Sequence, residues 1–332
     1  MIRLVQLKRG DVRRVALVEE PRLRLLTDVA SIYELATSAI AAGTKLAKRV
    51  EKHAAGETLD YELVYRGESD WQLLAPVDHP AEPACCLVSG TGLTHLGSAR
   101  DRNAMHEAKE SELTDSMKMF RWGLEGGQPV AGQIGIAPEW FYKGNGTILR
   151  AHNEPLLVPA YAEDGGDEAE VAGVYLVGPD GQPWRIGMCA GNEVSDHRFE
   201  KRNYLNLAGS KLRTCALGPE LVIDPEFESV PGKISIERGG KVLWSKEIRT
   251  GEAGMCHSLQ NLEHHHFKFE AHRRPGDVHV HYFGADSLSF GAGVQLKDGD
   301  TMAVTFEGFG RPLRNPLRVI PGPPVLIKAR PL

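Results

Sequence analysis

Three glutamates are the residues of this sequence best suited to metal chemistry. Glu168 and Glu170 lie two apart in DEAEVAGVYLV (167–177), and alternate residues of a strand point to the same face. A second apolar run, which contains Glu193, follows across the turn GPDGQ (178–182). If the two runs pair as a hairpin, Glu193 returns towards Glu168 and Glu170. Three converging carboxylates predict a site for a hard cation, either Mg²⁺ or its substitutes Mn²⁺ and Ca²⁺.

Lys211 is the first candidate for a proton-transferring group. It precedes a short apolar run in LAGSKLRTCALGPELV. A lysine beside a divalent cation loses its proton more readily, because the cation disfavours a second positive charge. The alternatives are ordinary ones. A lone lysine is usually a surface residue, and Glu168 and Glu170 are also explained as solvated residues after the acidic loop AEDGGDEAE.

Thirteen histidines are a high number for a chain of this length. The run EHHH (263–266) does not predict a zinc site, because consecutive residues of a helix point about 100° apart and cannot all reach one ion. We expect one of these histidines to face the core beside Leu262 and Phe269. His279 and His281 alternate on a predicted strand and therefore share a face.

Composition predicts a globular protein that buries a sizeable core. The chain has 332 residues, 42% hydrophobic and 25% charged, with a net charge of −5. It contains no basic tract and no apolar run of 18 residues, so we expect neither nucleic-acid binding nor a membrane span. The first residues lack the continuous apolar core of a signal peptide, which favours a cytosolic location. The five cysteines are scattered, which predicts free thiols.

The elements that must position these residues are mostly strands. Residues 1–75 predict a small N-terminal α+β module with one helix over 31–53. A Pro-rich linker leads into a second domain, 76–332, in which short β-like runs recur between turns such as GPDGQ and RGGK (238–241). Two further helices are predicted over about 104–124 and 258–271. The fold class is therefore α+β and β-rich, without alternating βα units.

Six stretches, in order over residues 85–320, resemble the fumarylacetoacetate hydrolase superfamily. EAEVAGV (168–174) is similar to the family's E-x-E-x-x-L metal strand, and GNEVSDHRFEKRN (191–203) to its N-D-V-S-x-R-D segment. The others are PEWFYKG (138–144), KLRTCALGP (211–219), RPGDVHVHYFGA (274–285) and LKDGDTMAVTFEGFGRPLRNP (296–316). Two more, GTGLTHLGSARDRNAMH (90–106) and MCHSLQNLEHHHFKF (255–269), resemble a sugar-acid branch of this superfamily.

The resemblance implies a mixed β-sandwich and β-roll around a divalent cation. It implies Glu168, Glu170 and Glu193 as ligands and Lys211 as the active-site lysine. The remaining implied residues are His95 as a catalytic group and a substrate-binding set of Ser98, Arg100, Arg102, Lys143 and His281. A solvated loop is the alternative for residues 95–102. His106 and Glu110 are either a lid acid–base pair or an ordinary surface pair on a helix.

The chain departs from the family pattern at three places. The usual third ligand is aspartate, whereas this chain has Glu193, which is one methylene longer. The segment between Lys211 and the LGP sequence is about two residues short. The family's Thr-Gly-Thr substrate loop is replaced by HVHYFGAD (279–286), which indicates a changed substrate.

The implied activity is a dehydratase of 2-keto-3-deoxy sugar acids, of the 2-keto-3-deoxy-L-arabonate type. The cation would stabilise an enolate, loss of the C4 hydroxyl would follow, and 2,5-dioxopentanoate would be the product. The same chemistry serves C–C hydrolysis of a 2,4-diketo-3-deoxy sugar acid with release of pyruvate. A non-catalytic sugar-acid-binding protein is a further alternative. The expected partners are the small-molecule 2-oxo sugar acid and a second copy of the chain, as a homodimer.

Overall fold

Most strands of the described chain belong to one large mixed sheet. The computed structural model describes residues 1–97 and 114–332. Within these residues, thirteen strands form the large sheet: β1 (Ile2–Arg9), β2 (Val12–Glu19), β3 (Arg22–Leu25), β4 (Thr58–Asp60), β5 (Gln72–Leu73), β6 (Cys86–Gly92), β7 (Glu139–Asn145), β8 (Leu149–Arg150), β10 (Ala169–Val177), β11 (Pro183–Asn192), β12 (Cys215–Leu217), β13 (Leu221–Ile223) and β16 (Val278–Tyr282).

Five other strands form a second sheet in the described part of the chain. They are β9 (Leu156–Val158), β14 (Val230–Arg238), β15 (Lys241–Thr250), β17 (Thr301–Phe306) and β18 (Leu313–Val319), in the order β15-β14-β17-β18-β9. Apolar side chains from both sheets, such as Val171 and Met188 of the first and Ile234 and Val304 of the second, form one buried core. The molecule is therefore the strand-rich α+β protein that the sequence predicts.

The hairpin of β10 and β11 lies at the centre of the large sheet, between β16 and β13. All nine residues of β10 are buried, which explains why the run is apolar after Glu170. The turn predicted over 178–182 is present, and Gly181 adopts the positive φ of 79° that its conformation requires. Because the strands are antiparallel, Glu170 lies opposite Gly191, and the end of β11 comes back to the start of β10.

Seven α-helices lie within the described residues: α1 (Ile32–Ala41), α2 (Leu46–His53), α3 (Tyr61–Tyr65), α4 (Asp115–Gly126), α5 (His197–Arg202), α6 (Leu207–Ser210) and α7 (Leu259–Phe267). The single helix predicted over 31–53 is wrong, because Gly43 takes a φ of 59° and ends α1 before α2 begins. The helix predicted over 258–271 ends at Phe267 and is followed by a 3-10 turn, Glu270–Arg273. Of the helix predicted over 104–124, residues 104–113 lie outside the described residues.

The N-terminal module is continuous with the large sheet. Strand β1 pairs with β13 of the second predicted domain, with Leu4 opposite Leu221. Buried Glu220 adds a polar connection, since it accepts a hydrogen bond from Tyr61 Oη at 2.8 Å and pairs with Arg3 at 3.0 Å. The division at residue 75 stays a prediction. All five cysteines are free thiols, as expected, and no helix in the described ranges has the length and hydropathy to cross a membrane.

Candidate metal centre and active site

Three carboxylates converge at the open end of the β10–β11 hairpin. Glu168 precedes β10, Glu170 lies within it, and Glu193 directly follows β11. The backbone N–H of Glu193 donates to the Glu168 carbonyl at 2.8 Å, which closes the hairpin end. One oxygen from each carboxylate lies within 4.8 Å of the other two, and the three residues are only 4%, 1% and 0% exposed. We call Glu168, Glu170 and Glu193, together with Lys143 and Lys211, the carboxylate cluster.

The three carboxylates disfavour one another's charge. Burial, followed by the charges of Glu193 and Glu168, raises the pKa of Glu170 well above its ordinary value. Burial and the charge of Glu168 likewise raise the pKa of Glu193, although Lys143 and Lys211 oppose the shift. Carboxylates this close together stay ionised only beside a compensating cation. The cluster is therefore electrostatically suited to hold one.

Lys211 lies among the carboxylates. Its Nζ is 2.6 Å from Glu168 Oε1, 2.6 Å from Glu193 Oε2 and 2.9 Å from Ser195 Oγ, and the residue is fully buried. It caps the short helix α6, which ends at Ser210 and directs the side chain inwards. The ring of Phe141 lies 4.5 Å from the Nζ atom on the other side. The lysine is thus held within reach of a ligand bound at the carboxylates.

Lys143 is also fully buried, and it contacts the cluster from β7. Its Nζ donates to the Val194 carbonyl at 2.6 Å and to the Lys211 carbonyl at 2.9 Å, and it forms a close ion pair with Glu193. An ammonium group has three hydrogens, so these three acceptors satisfy it. Lys143 therefore holds Glu193 in place, and its assignment to substrate binding stays a prediction.

The other two carboxylates have anchors of their own. The backbone N–H of Gly284 donates to Glu170 Oε2 at 2.6 Å. His197, the first residue of α5, lies 3.0 Å through Nε2 from Glu168 Oε1. Burial alone would lower the pKa of His197, but the hydrogen bond and the charge of Glu168 raise it above the ordinary value. Each carboxylate is thus fixed by a different segment of the chain.

A carboxyl–phenol pair lies along β7 from the cluster. Burial alternates along this strand, so Glu139, Phe141 and Lys143 share the inward face. Glu139 Oε2 accepts a hydrogen bond from Tyr204 Oη at 2.8 Å. The sequence interpretation missed Glu139 and His197. The alternation Glu139-x-Phe141-x-Lys143 in PEWFYKG places the first on the same strand face as Lys143. No local spacing indicates the second, because its partner Glu168 is 29 residues away along the chain.

His95 lies in a buried network near the cluster. Its Nδ1 pairs with Thr94 Oγ1 at 2.8 Å and its Nε2 with Thr250 Oγ1 at 3.1 Å. Thr94 also donates to the Phe283 carbonyl at 2.8 Å, next to the Gly284 that anchors Glu170. Burial lowers the pKa of His95 to about 4, which keeps the imidazole neutral at physiological pH. The network connects His95 to the loop beneath Glu170 through Thr94.

His281 lies on the opposite face of the sheet from Glu170. It lies opposite Gly173 of β10, and directly opposite residues of neighbouring strands share a face. Glu170 is three residues from Gly173 on the same strand, and an odd separation places it on the other face. The Nδ1 atom of His281 bonds Ser89 Oγ and its Nε2 bonds Thr91 Oγ1, both at 2.8 Å. The structure does not bring His281 to the carboxylates. Ser98, Arg100, Arg102, His106 and Glu110 lie outside the described residues.

The donor set fits a hard divalent cation. All three candidate ligands are carboxylates, which suit Mg²⁺, Mn²⁺ or Ca²⁺. Among the described residues no other group of three His, Cys, Asp or Glu side chains brings its ligand atoms together in this way. Within the described residues Glu170 has one hydrogen-bond donor, the Gly284 N–H. A bound cation would offset the carboxylate repulsion that contributes to the raised pKa of Glu170.

Comparison with known proteins establishes the fold. No family model matches the chain, and no curated protein sequence does. A solved 2-keto-3-deoxyarabinonate dehydratase has a TM-score of 0.72 at 18% identity, over 96% of this chain and 100% of its own. A 2-keto-3-deoxy-D-arabinonate dehydratase complexed with magnesium and 2,5-dioxopentanoate has a TM-score of 0.70 at 18% identity, over 96% and 99%.

A 2-hydroxyhepta-2,4-diene-1,7-dioate isomerase from Mycobacterium marinum is less similar, with a TM-score of 0.59 at 18% identity over 96% of this chain and 99% of its own. Identities this low support a shared fold. The fold class expected from the resemblance, a fumarylacetoacetate-hydrolase-like arrangement, is confirmed by these structures. The two dehydratase structures have the higher TM-scores of the three.

Proposed function

We propose that this protein is a metal-dependent dehydratase that converts a 2-keto-3-deoxy sugar acid of the 2-keto-3-deoxy-L-arabonate type into 2,5-dioxopentanoate. The observation that carries the proposal is the carboxylate cluster, in which three buried carboxylates and two buried lysines meet at one point. Its scaffold is the fold of a dehydratase that was solved with magnesium and 2,5-dioxopentanoate.

Glu168, Glu170 and Glu193 would hold the cation, with Mg²⁺ as the first choice and Mn²⁺ or Ca²⁺ as substitutes. When bound, it supplies a Lewis acid that polarises the ketone of a 2-oxo acid and acidifies the neighbouring C3 hydrogens. Lys143 and Gly284 hold two of the three carboxylates through hydrogen bonds, which fixes the donor atoms before the cation arrives.

The charge balance of the cluster favours an anionic substrate. With Lys211 protonated and His197 neutral, three carboxylates and two ammonium groups carry one net negative charge, which a divalent cation would convert to one net positive charge. In a buried site such an excess is costly unless an anion neutralises it. The carboxylate of a 2-oxo acid meets that requirement, whereas a neutral sugar does not.

Lys211 takes the C3 proton in this proposal. Its Nζ lies 2.6 Å from two carboxylates, so the amine is held at the edge of the space where a ligand of the cation must lie. A nearby divalent charge favours the neutral amine, which is the form able to accept a proton. The electron pair left by the C3–H bond then forms the C3–C4 double bond as the C4 hydroxyl departs.

Glu139 and Tyr204 are assigned the proton that the leaving hydroxyl needs. Glu139 lies two residues from Phe141 on the same face of β7, and Phe141 contacts the Lys211 ammonium. Two residues along a strand span roughly 6.6 Å, so Glu139 lies beside Phe141 on the same face of β7. The hydroxyl leaves as water once it receives this proton. A hydrogen then moves from C5 to C3, which shifts the double bond to C4–C5, and the resulting enol tautomerises to the C5 aldehyde.

Purified protein with Mg²⁺ tests the proposal when it is supplied separately with 2-keto-3-deoxy-L-arabonate and with its D enantiomer. NMR should show 2,5-dioxopentanoate from at least one of them, with no turnover in EDTA. The configuration at C4 is lost in the product, so only the substrate consumed reveals which enantiomer the site accepts. Consumption of neither enantiomer, or turnover that is unaffected by EDTA, contradicts the proposal.

A third substrate, 2,4-diketo-3-deoxypentonate, separates the alternatives. Pyruvate from this compound, with both 2-keto-3-deoxy acids untouched, identifies a C–C hydrolase. Cation-dependent binding of a sugar acid without any product identifies a binding protein. A Glu168→Gln variant is the control in each assay, because it removes one candidate ligand while keeping the side chain's size.

A further inference from the structure

We propose that His197 is a positioning residue that fixes the Glu168 carboxylate for cation binding, and that Gly166 provides the space that orients its ring. The inference rests on the cation site of the proposed function and is independent of which substrate that site takes. The feature that points to it is a buried imidazole that is bonded to a candidate ligand and packed against a residue without a side chain.

His197 is held firmly by its surroundings. It begins α5, directly after Asp196, whose Oδ1 caps the helix by accepting the Phe199 N–H at 3.0 Å. The imidazole is 1% exposed, and the ring of Phe290 meets it edge-on with centroids 5.4 Å apart. A side chain locked by packing on both sides can fix the orientation of its hydrogen-bond partner.

The direction of the hydrogen bond follows from the partner. An ionised carboxylate only accepts hydrogen bonds, so the Nε2 atom of His197 must carry the hydrogen that points to Glu168 Oε1. This holds for the neutral and for the charged imidazole, and the role therefore does not depend on protonation. An amide nitrogen at the same place would serve as the same kind of donor.

Gly166 makes this orientation possible. A Cβ atom at position 166 would lie 2.1 Å from Nδ1 of His197, which is far inside contact distance. The backbone cannot move aside easily, because Gly166 and Ser195 exchange hydrogen bonds of 2.8 and 3.1 Å. A methyl group at position 166 would therefore displace the ring, and with it the donor to Glu168, without changing any ionisable group.

Lys211 also contacts Glu168, but it cannot serve as a constant anchor. It is the group that exchanges a proton in the proposed reaction, so its hydrogen bonds change during turnover. Glu170 and Glu193 each have an anchor that does not react, namely the Gly284 N–H and the Lys143 ammonium. His197 completes this arrangement for the third carboxylate.

Isothermal titration calorimetry of the 332-residue protein with Mn²⁺ tests the inference without any substrate. We expect His197→Phe to raise the dissociation constant about 10- to 100-fold, the range typical for residues that orient metal ligands. His197→Gln should stay within about threefold of the parent, since its amide can donate to Glu168. Gly166→Ala, which leaves the histidine in place, should weaken Mn²⁺ binding about tenfold or more.

His152→Phe is the matched control. His152 is another buried histidine, stacked on Tyr65 with centroids 4.1 Å apart, and it has no contact with the carboxylate cluster among the described residues. The His152→Phe variant should bind Mn²⁺ as tightly as the parent does. If His197→Phe does not fold, Gly166→Ala and His197→Gln still give opposite expectations, and circular dichroism identifies the folded variants.

The inference is overturned if His197→Phe binds Mn²⁺ as tightly as the parent, or if the Gln and Phe variants lose affinity equally. A parent that binds Mn²⁺ but consumes no sugar acid refutes the substrate assignment alone. Equal Mn²⁺ binding by the parent and Glu170→Gln refutes the cation site and this inference together.

Discussion

Two buried polar clusters lie on opposite faces of the same part of the large sheet, and their chemistry differs. One is the carboxylate cluster at the start of β10. The other, which we call the histidine cluster, consists of His266, His279 and His281 beside β16. Both are almost fully buried and rich in groups that bind metals. Only the carboxylate cluster is short of compensating positive charge.

The histidine cluster satisfies most of its own hydrogen bonds. Trp140 has only an N–H to offer, so His266 Nδ1 accepts it at 3.1 Å. His266 then carries its hydrogen on Nε2 and donates to His279 Nδ1 at 2.9 Å. Burial lowers the pKa of both His279 and His281 to about 3, so these rings stay neutral. The cluster is a polar part of the core that needs no ion.

The carboxylate cluster has the opposite property. The hairpin brings its like charges together. Burial and carboxylate repulsion raise the pKa of Glu170 and Glu193, so their ionised forms are disfavoured. Such an arrangement destabilises the fold unless something binds there. Unbalanced buried charge, and not the number of potential ligands, therefore distinguishes the carboxylate cluster from the histidine cluster.

The largest expected effect comes from removing one carboxylate. Glu170→Gln should lower kcat on the 2-keto-3-deoxy acid by about 10⁴-fold, because the Lewis acid contributes several kcal/mol to the reaction. Initial rates of 2,5-dioxopentanoate formation measure it. Glu220→Gln is the matched control, because this buried carboxylate pairs with Arg3 and has no contact with the carboxylate cluster in the part of the chain that the structure describes; it should retain the parent's rate. Comparable losses in both variants would show that burial, and not the cluster, explains the effect.

Lys211 gives the next largest effect. Lys211→Met should lower kcat by about 10²- to 10³-fold, the usual contribution of a general base, while Mn²⁺ binding persists. Lys211→Arg keeps the positive charge, but a guanidinium does not release its proton, so it should be as inactive as the Met variant. Full activity in the Arg variant would mean that the residue supplies charge and not proton transfer.

The histidine cluster should affect stability rather than activity. The His281 imidazole is neutral in the fold, whereas the unfolded chain takes up a proton below about pH 6.5. Its contribution is therefore complete above pH 6.5 and is lost as the pH falls towards 3. Urea unfolding at about pH 7.5 and about pH 5 should show a smaller pH-dependent loss in His281→Gln than in the parent, by about 2 kcal/mol. An unchanged pH dependence would contradict the buried neutral state.

The smallest expected effect is that of the same variant on turnover. His281→Gln should keep kcat and KM within about threefold of the parent, since the ring lies on the face away from Glu170 and bonds only Ser89 and Thr91 among the described residues. Steady-state kinetics with the 2-keto-3-deoxy acid provides the test. A tenfold rise in KM would instead restore the substrate contact that the sequence predicts for His281.

The sequence predicts the convergence of the carboxylates because strand alternation and a short turn are local rules. Glu168, Glu170 and Glu193 need only one hairpin to meet, and the structure contains it. The break between α1 and α2 was missed for a local reason as well, since apolar periodicity continued across Gly43.

The remaining features depend on contacts between distant segments. Which face His281 occupies depends on how β16 pairs with β10, more than one hundred residues earlier in the chain. Glu139 reaches the site because β7 lies at the edge of the same sheet, and His197 because α5 folds back onto Gly166. No periodicity within a segment contains this information.

A Mn²⁺ titration of the parent and of Glu170→Gln, monitored by the electron paramagnetic resonance of free Mn²⁺, tests the central claim most directly. The account predicts one Mn²⁺ bound per chain of the parent, displaced by Mg²⁺, and a loss of at least about 100-fold in affinity in the variant. Absence of binding to the parent, or equal binding to both proteins, would contradict the claim that the three carboxylates form a divalent-cation site.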